Sequence, residues 1–241
     1  MSAPQDLSEE RSLALGTTEG ANVAPIGTTQ FRPALPAVTR ANLPVCLVAG
    51  YVAFCVMYLG SAAVSRTAVE LVPTMLDRAV PFVAASIIVY LSQFILLPYA
   101  LVVARDDRAR SRAFYSMLVA TLFAAVIFVC YPTSVARPTP PVDGVLGLAW
   151  RGLHVADTSN NAFPSLHVAL AAISGALLWQ TKRRALAVIW PTLISISTLT
   201  TRQHIVWDVA AGLVLAFLAW RLTPRLFRYE RTNAPDHPAS G

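Results

Sequence analysis

A chain of 241 residues that is 55% hydrophobic and only 13% charged has too little charge to cover a soluble surface of its size, so the bilayer is its natural solvent. The net charge of +6 comes almost entirely from arginine. Those arginines cluster between apolar runs, the pattern of membrane-topology determinants, which argues against nucleic acid as a partner.

Residues 1–43 are rich in Ser, Thr, Pro, Ala and Gly without an apolar period. They bury too little surface to offset chain entropy and read as a disordered cytoplasmic tail. No basic stretch leading into an apolar core opens the sequence, so no cleaved signal peptide is expected. Six apolar segments follow, near 44–63, 79–103, 113–131, 164–180, 185–201 and 204–222. A spanning helix needs about 20 apolar residues, with about 17 tolerated. The first three segments meet this easily. The last three are marginal and carry polar residues, as helices lining a shared interior do. The expected fold is an all-α polytopic membrane protein with six transmembrane helices over 44–222, followed by a basic cytoplasmic tail over 223–241.

Charge asymmetry sets the expected orientation. Arg105, Arg108, Arg110 and Arg112 join the second and third segments, Lys182, Arg183 and Arg184 the fourth and fifth, and Arg221, Arg225, Arg228 and Arg231 follow the sixth. The opposite loops hold only Arg66, Arg78, Arg137, Arg151 and Arg202. Both termini therefore face the cytoplasm, and the loop at 132–163, with Ser159 near its end, faces the other side. That loop carries Pro138, Pro140 and Pro141, then a short amphipathic stretch around Leu146–Leu153. Cys46, Cys55 and Cys130 form neither a CxxC pair nor a zinc spacing and read as small buried hydrophobes.

His167, His204 and Asp208 fall at the ends of the fourth and sixth segments, where ionisable groups are costly and mark functional sites. His204 and Asp208 are four apart, so on a helix they share a face. A carboxylate there can fix the imidazole tautomer and leave the other ring nitrogen basic or nucleophilic. An interior ion pair that only holds helices together would have the same spacing. The run Asn161-Ala-Phe-Pro-Ser-Leu-His167 supplies a helix start at Pro164 and Ser165. Free N–H groups and the dipole at such a start favour an anion such as phosphate.

Pro-Ser-x-His at one helix start and His-x-x-x-Asp two segments later resemble the type 2 phosphatidic-acid phosphatase superfamily, six-helix membrane enzymes that include lipid phosphate phosphatases. Phe-Pro-Ser-Leu-His167, the Arg202-Gln-His204-x-x-x-Asp208-Val run, and Asp77-x-x-x-Pro81-Phe82 with Tyr90 look like its inositol-phosphorylceramide synthase-like branch. The resemblance covers roughly residues 70–222 and implies a catalytic set. His204 would attack phosphorus and form a phosphohistidine, Asp208 would orient it, and His167 would protonate the leaving alcohol. Ser165, Arg202 and Arg137 would bind the phosphate oxygens. The expected substrate is a lipid phosphate ester, with no metal or other cofactor, at the non-cytoplasmic face of a bacterial plasma membrane.

Two positions depart from the phosphatase pattern. Cys130 stands where the first motif has lysine, seven residues before Arg137-Pro138, and Ser197-Thr198 stands where the third motif has Ser-Arg. These losses set the chain apart from simple phosphatidate phosphatases and favour the synthase-like branch, whose members share them. Transfer to an alcohol and hydrolysis by water pass through the same phosphohistidine and are expected equally. Arg137 could instead be an interfacial arginine of a proline-rich loop. His154 and Asp157 could reach the pocket but read rather as a solvated loop pair, and His237 reads as an inert tail residue. Two rivals remain: a proton-coupled transporter using His167, His204 and Asp208, and a metal site with those three as a facial triad. The sequence carries no signal for oligomeric state.

Overall fold

The computed structural model describes residues 33–65, 67–137, 139, 144–157 and 160–229. Arg66, Pro138, Pro140, Pro141, Ser159, Arg231 and His237 lie outside them, as do residues 1–32 and 230–241 of the expected tails.

Helix α1 (Leu43–Val64) is apolar all round, and most of its surface is exposed, as expected of a helix facing lipid. A short helix α2 (Met75–Ala79) leads to a 3₁₀ turn at Ala84–Ser86. The turn feeds α3 (Ile87–Leu91) and α4 (Gln93–Val102), which together make one span. Helix α5 (Asp107–Cys130) follows, then α6 (Gly144–Ala156), α7 (Leu166–Trp179), α8 (Arg184–Thr200) and α9 (Val206–Leu226). By length and apolarity, α1, the 84–102 span, α5 and α9 can cross a membrane, whereas α7 and α8 are shorter apolar helices. Four candidate spans thus stand where six were expected. The two short ones are those the sequence already marked as marginal.

Helix α5 begins six residues before the third apolar segment. The Asp106 side chain accepts the Ala109 N–H at 2.7 Å and caps the helix. The arginines that follow are built into the structure. Arg110, 1% exposed, pairs with Asp107 and donates to the Leu101 carbonyl at 2.9 Å, satisfying the end of α4. Arg112 donates to the Trp220 carbonyl and stacks on the Trp220 ring.

Helix α7 is the centre of the bundle, packed against α4, α5, α8 and α9. Glycines permit two close approaches to its neighbours. A Cβ on Gly175 would lie 2.7 Å from the Ala187 carbonyl oxygen of α8, and one on Gly212 of α9 would lie 2.5 Å from the Ser165 carbonyl oxygen. The second contact presses the start of α9 against the start of α7.

Connections at the His167–His204 end are tied together. Strand β2 (Val69–Glu70) pairs in parallel with β3 (Thr133–Ser134), and Thr133 bridges to Asn161. The Ser165 N–H donates to the Asp208 carbonyl at 3.0 Å. At the other end, β1 (Ala34–Leu35) pairs with β4 (Arg228–Tyr229), and Val38 is buried with its N–H on the Ser111 hydroxyl. Residues 33–42, read from composition as part of a tail, are therefore docked on the bundle. The amphipathic stretch in the long loop is helix α6, with Trp150 fully buried against Ile87 and Tyr90.

Candidate active site

Asp208 sits in the first turn of α9 with no exposed surface. Its Oδ2 accepts the Ile205 N–H at 3.0 Å and lies 3.3 Å from His204 Nδ1. A proton on Nδ1 shared with this carboxylate leaves Nε2 with a free lone pair. The contact is longer than a tight charge-assisted bond, as catalytic pairs often are before substrate binds. Asp208 Oδ1 has no partner among the described residues, so within them the carboxylate is not a fully satisfied structural ion pair.

A second carboxylate holds this turn. Asp77 Oδ2 accepts from the Thr74 N–H and hydroxyl, closing a capping box on α2, while its Oδ1 accepts the Val206 N–H at 2.7 Å. Asp77 thus caps α2 and α9 together, fixing the turn that carries His204 and Asp208. Burial pushes its carboxyl up, but the bonds from Thr74 and Val206 and the nearby Arg202 outweigh it and hold the pKa below the ordinary value.

Ser165 is the N-cap of α7, its hydroxyl accepting the Val168 N–H at 3.4 Å. Pro164 precedes the cap rather than occupying the first turn. Two residues on, His167 donates Nε2–H to the Tyr90 carbonyl at 2.9 Å, and its ring stacks on Tyr90 at 3.8 Å between centroids. A backbone carbonyl can only accept, so Nε2 carries a proton and Nδ1 is the nitrogen left for chemistry.

His167, His204 and Arg137 line one cavity of roughly 300 Å³, together with Tyr58, Asp157 and Asn161. Arg137 Nη2 lies 2.8 Å from Asp157 Oδ2, and Tyr58 of α1 hydrogen-bonds to the other carboxylate oxygen. Asp157 is therefore no solvated loop residue: its side chain is 14% exposed and it anchors the guanidinium. His154 stays outside the lining, packed edge-on against Trp150. Burial, then the positive charge of Arg137, pushes its pKa down against the opposing pull of Asp157.

Two expected phosphate ligands stand apart from this lining. Ser165 is fully buried as a helix cap, and Arg202, at φ 52°, donates to the Val80 carbonyl at 3.2 Å beside Asp77. Cys130 is exposed at the end of α5, and Ser197 and Thr198 bond only to carbonyls of their own helix through their hydroxyls. Among the described residues no three His, Cys, Asp or Glu side chains converge as a metal site requires, so the facial-triad geometry is not formed.

A second, apolar cavity of roughly 290 Å³ continues from the first, between α1, α4 and α5. Leu97, Pro98, Leu101, Met117 and Leu118 line it, and it shares Gln93 and His167 with the polar cavity. The cavity that holds the ionisable side chains thus adjoins one lined by apolar residues, with Gln93 and His167 bordering both.

Sequence reasoning missed Tyr58, Gln93 and Asn161. Tyr58 reaches Asp157 across 99 residues, and nothing in an apolar run marks such a pairing. The clue to Asp157 was its position in a long loop beside the catalytic helix start.

With Arg137 as the phosphate ligand that the resemblance implies, Asp157→Ala should lower kcat/KM by about 10–100-fold, the scale of losing a positioned clamp. Tyr58→Phe, which keeps the ion pair, should cost far less. Steady-state assays that find Asp157→Ala within about twofold of wild type would return Asp157 to the solvated-pair reading.

The family model described as the PAP2 superfamily matches residues 69–222, well over half of the chain, and spans every residue from Asp77 to Asp208 discussed above. No curated protein matches.

Proposed function

Since the chain belongs to the PAP2 superfamily, a family of phosphatase-type enzymes, we propose that it is an integral-membrane lipid phosphatase or phosphotransferase working through a phosphohistidine. The observation that carries this reading is the polar cavity, where His204, His167 and Arg137 meet.

In the proposed reaction His204 Nε2 attacks phosphorus and a P–N bond forms. The bond from phosphorus to the lipid alkoxide breaks, and the departing oxygen takes a proton from His167 Nδ1–H. Nδ1 must then be protonated while Nε2–H is held by Tyr90, so His167 begins as imidazolium, with the carbonyl as its acceptor. Water or an alcohol next attacks phosphorus, gives its proton back to His167, and expels His204. Arg137 stabilises the charge on the nonbridging oxygens. Asp208 supports the positive charge that develops on His204. Ser165 acts through the placement of α7, and Arg202 through Asp77 and the α9 turn. Arg202 would reach phosphate only after leaving the Val80 carbonyl.

Transfer to an alcohol, as in the inositol-phosphorylceramide synthase-like branch, stands level with hydrolysis. The positive charge of the pattern has shrunk to Arg137, which Asp157 already pairs. The proposed setting is a bacterial plasma membrane with both termini cytoplasmic. The arginine-rich turns at 105–112 and 182–184 lie at the bundle end opposite His204, which supports placing the chemistry on the non-cytoplasmic side.

One experiment addresses these points together. Lipid phosphates and phosphodiesters are added to sealed cells expressing the protein, with and without alcohol acceptors, in EDTA. Phosphate release or a new phosphodiester outside unpermeabilised cells is the expected result, because histidine and arginine do the electrostatic work otherwise done by a cation. Activity appearing only after lysis overturns the orientation, and loss in EDTA with recovery on adding a divalent ion overturns the metal-free mechanism.

A further inference from the structure

Gln93 opens α4 at the seam between the two cavities. It is 6% exposed, and its Oε1 is buried with no hydrogen-bond partner among the described residues. An unpaired carbonyl oxygen in an apolar bundle costs stability, and a leucine or methionine would pack there without that cost. Helix α4 does not need it as a cap, since the Leu96 N–H is taken by the Ser92 carbonyl. The mechanism above does not use it either.

Its place along the site suggests what it is for. His204, Arg137 and Asp157 line only the polar cavity, whereas Leu97, Pro98, Leu101 and Met117 line only the apolar one. A lipid with its phosphorus at His204 and its tail among those apolar side chains would pass Gln93 with the atoms that join the two. In an acylated lipid those atoms carry an ester or amide carbonyl, or a hydroxyl. In a polyprenyl phosphate the hydrocarbon begins at the phosphoester oxygen, and nothing polar would arrive there. A carboxamide donates and accepts, so it can satisfy a carbonyl, an amide N–H or a hydroxyl.

We propose that Gln93 is a specificity-determining residue that reads the polar linker of the lipid, making acylglycerol- or N-acyl-type lipid phosphates the substrates in preference to polyprenyl phosphates. The inference rests on the lipid phosphotransfer reading. Sites built to hydrogen-bond a group discriminate against analogues lacking it, because a buried polar atom is then left unpaired.

The test compares kcat/KM for phosphatidate and for a polyprenyl phosphate of similar chain length, in mixed micelles, using wild type and Gln93→Met. Wild type should prefer phosphatidate by about tenfold or more, the worth of one good buried hydrogen bond. Gln93→Met should bring the ratio close to one. A second comparison needs no variant: wild type on phosphatidate and on its dialkyl ether analogue, which lacks only the two carbonyls, should show a loss in the same direction. Equal use of phosphatidate and polyprenyl phosphate by wild type, or a ratio unmoved in Gln93→Met, overturns the role of Gln93 and leaves the enzyme reading standing. Wild type inactive on every lipid phosphate and lipid phosphodiester, with and without alcohol acceptors, overturns the enzyme reading, and this inference with it.

Discussion

His204→Ala is expected to abolish turnover and to remove any acid-labile phosphoenzyme, because His167, the other imidazole among the described residues that line the cavity, is held at Nε2 by the Tyr90 carbonyl, is stacked on the Tyr90 ring, and lacks the buried carboxylate that supports His204. His167→Ala should behave differently. Its assigned task is to protonate the departing oxygen, so the loss should be about 10²–10⁴-fold. That loss should shrink for p-nitrophenyl phosphate, whose leaving group departs without help. Phosphoenzyme should still form in this variant from the activated ester. The rate should follow a bell-shaped pH profile, since His204 must begin neutral and His167 protonated. In His167→Ala the alkaline limb should flatten while the acid limb persists. A phosphoenzyme that survives in His204→Ala and vanishes in His167→Ala would exchange the two roles.

What the sequence made legible follows from the range of each interaction. Apolar runs and caps are local, so most helices appear close to where hydropathy and the Ser165 cap put them, whereas α5 starts earlier, at the Asp106 cap. His204 and Asp208 are four apart on one turn, and their contact could be read from spacing alone. Helix α7 was legible as polar-flanked and short, but not as the hub of the bundle. The Gly212 contact with Ser165, which brings α9 against it, joins residues far apart in the chain. The same limit hid the anchoring of the site. Asp77 reaches Val206 across 129 residues and Tyr58 reaches Asp157 across 99, and no periodicity encodes either. Composition misled only at the edges: residues 33–42 lack an apolar pattern, yet Asn42 accepts the Thr39 N–H and Val38 is buried. Arg202 was a natural phosphate ligand by sequence proximity to His204. Its left-handed backbone instead turns the guanidinium toward the Val80 carbonyl, where it braces the α2 connection.

That bracing bears on how rigid the nucleophile is. The His204 turn is held by Asp77 on Val206, by Asp208 on Ile205, and by the Ser165 N–H on the Asp208 carbonyl. The starts of α7 and α9 are thus coupled through a backbone bond and the Gly212 contact, not through the side chains of His167 and His204. Pre-organisation of this kind lets the reacting groups be changed singly without collapsing the site.

Asp208→Asn is the change that best separates a catalytic carboxylate from a structural one. In the native site Oδ2 accepts from both His204 Nδ1 and Ile205, while Oδ1 is buried and unpaired. An asparagine can place its NH₂ toward His204. That favours the tautomer with the proton on Nε2 and blocks attack. It can also keep its oxygen toward His204 and put NH₂ in the unpaired position, which preserves the tautomer but removes the negative charge that supports a phosphorylated imidazole. Either orientation loses the transition-state term. The expected fall in kcat is on the order of 10⁴, as when the orienting carboxylate of a serine-protease triad becomes an amide, with KM little changed. Stability should move the other way or not at all, because an unexposed carboxylate with one unsatisfied oxygen pays a desolvation penalty that a neutral amide avoids. Thermal unfolding in detergent and steady-state kinetics on the same preparation read both quantities. A fall in Tm with turnover kept within about tenfold would make His204–Asp208 a helix-holding ion pair and remove the basis for a histidine nucleophile.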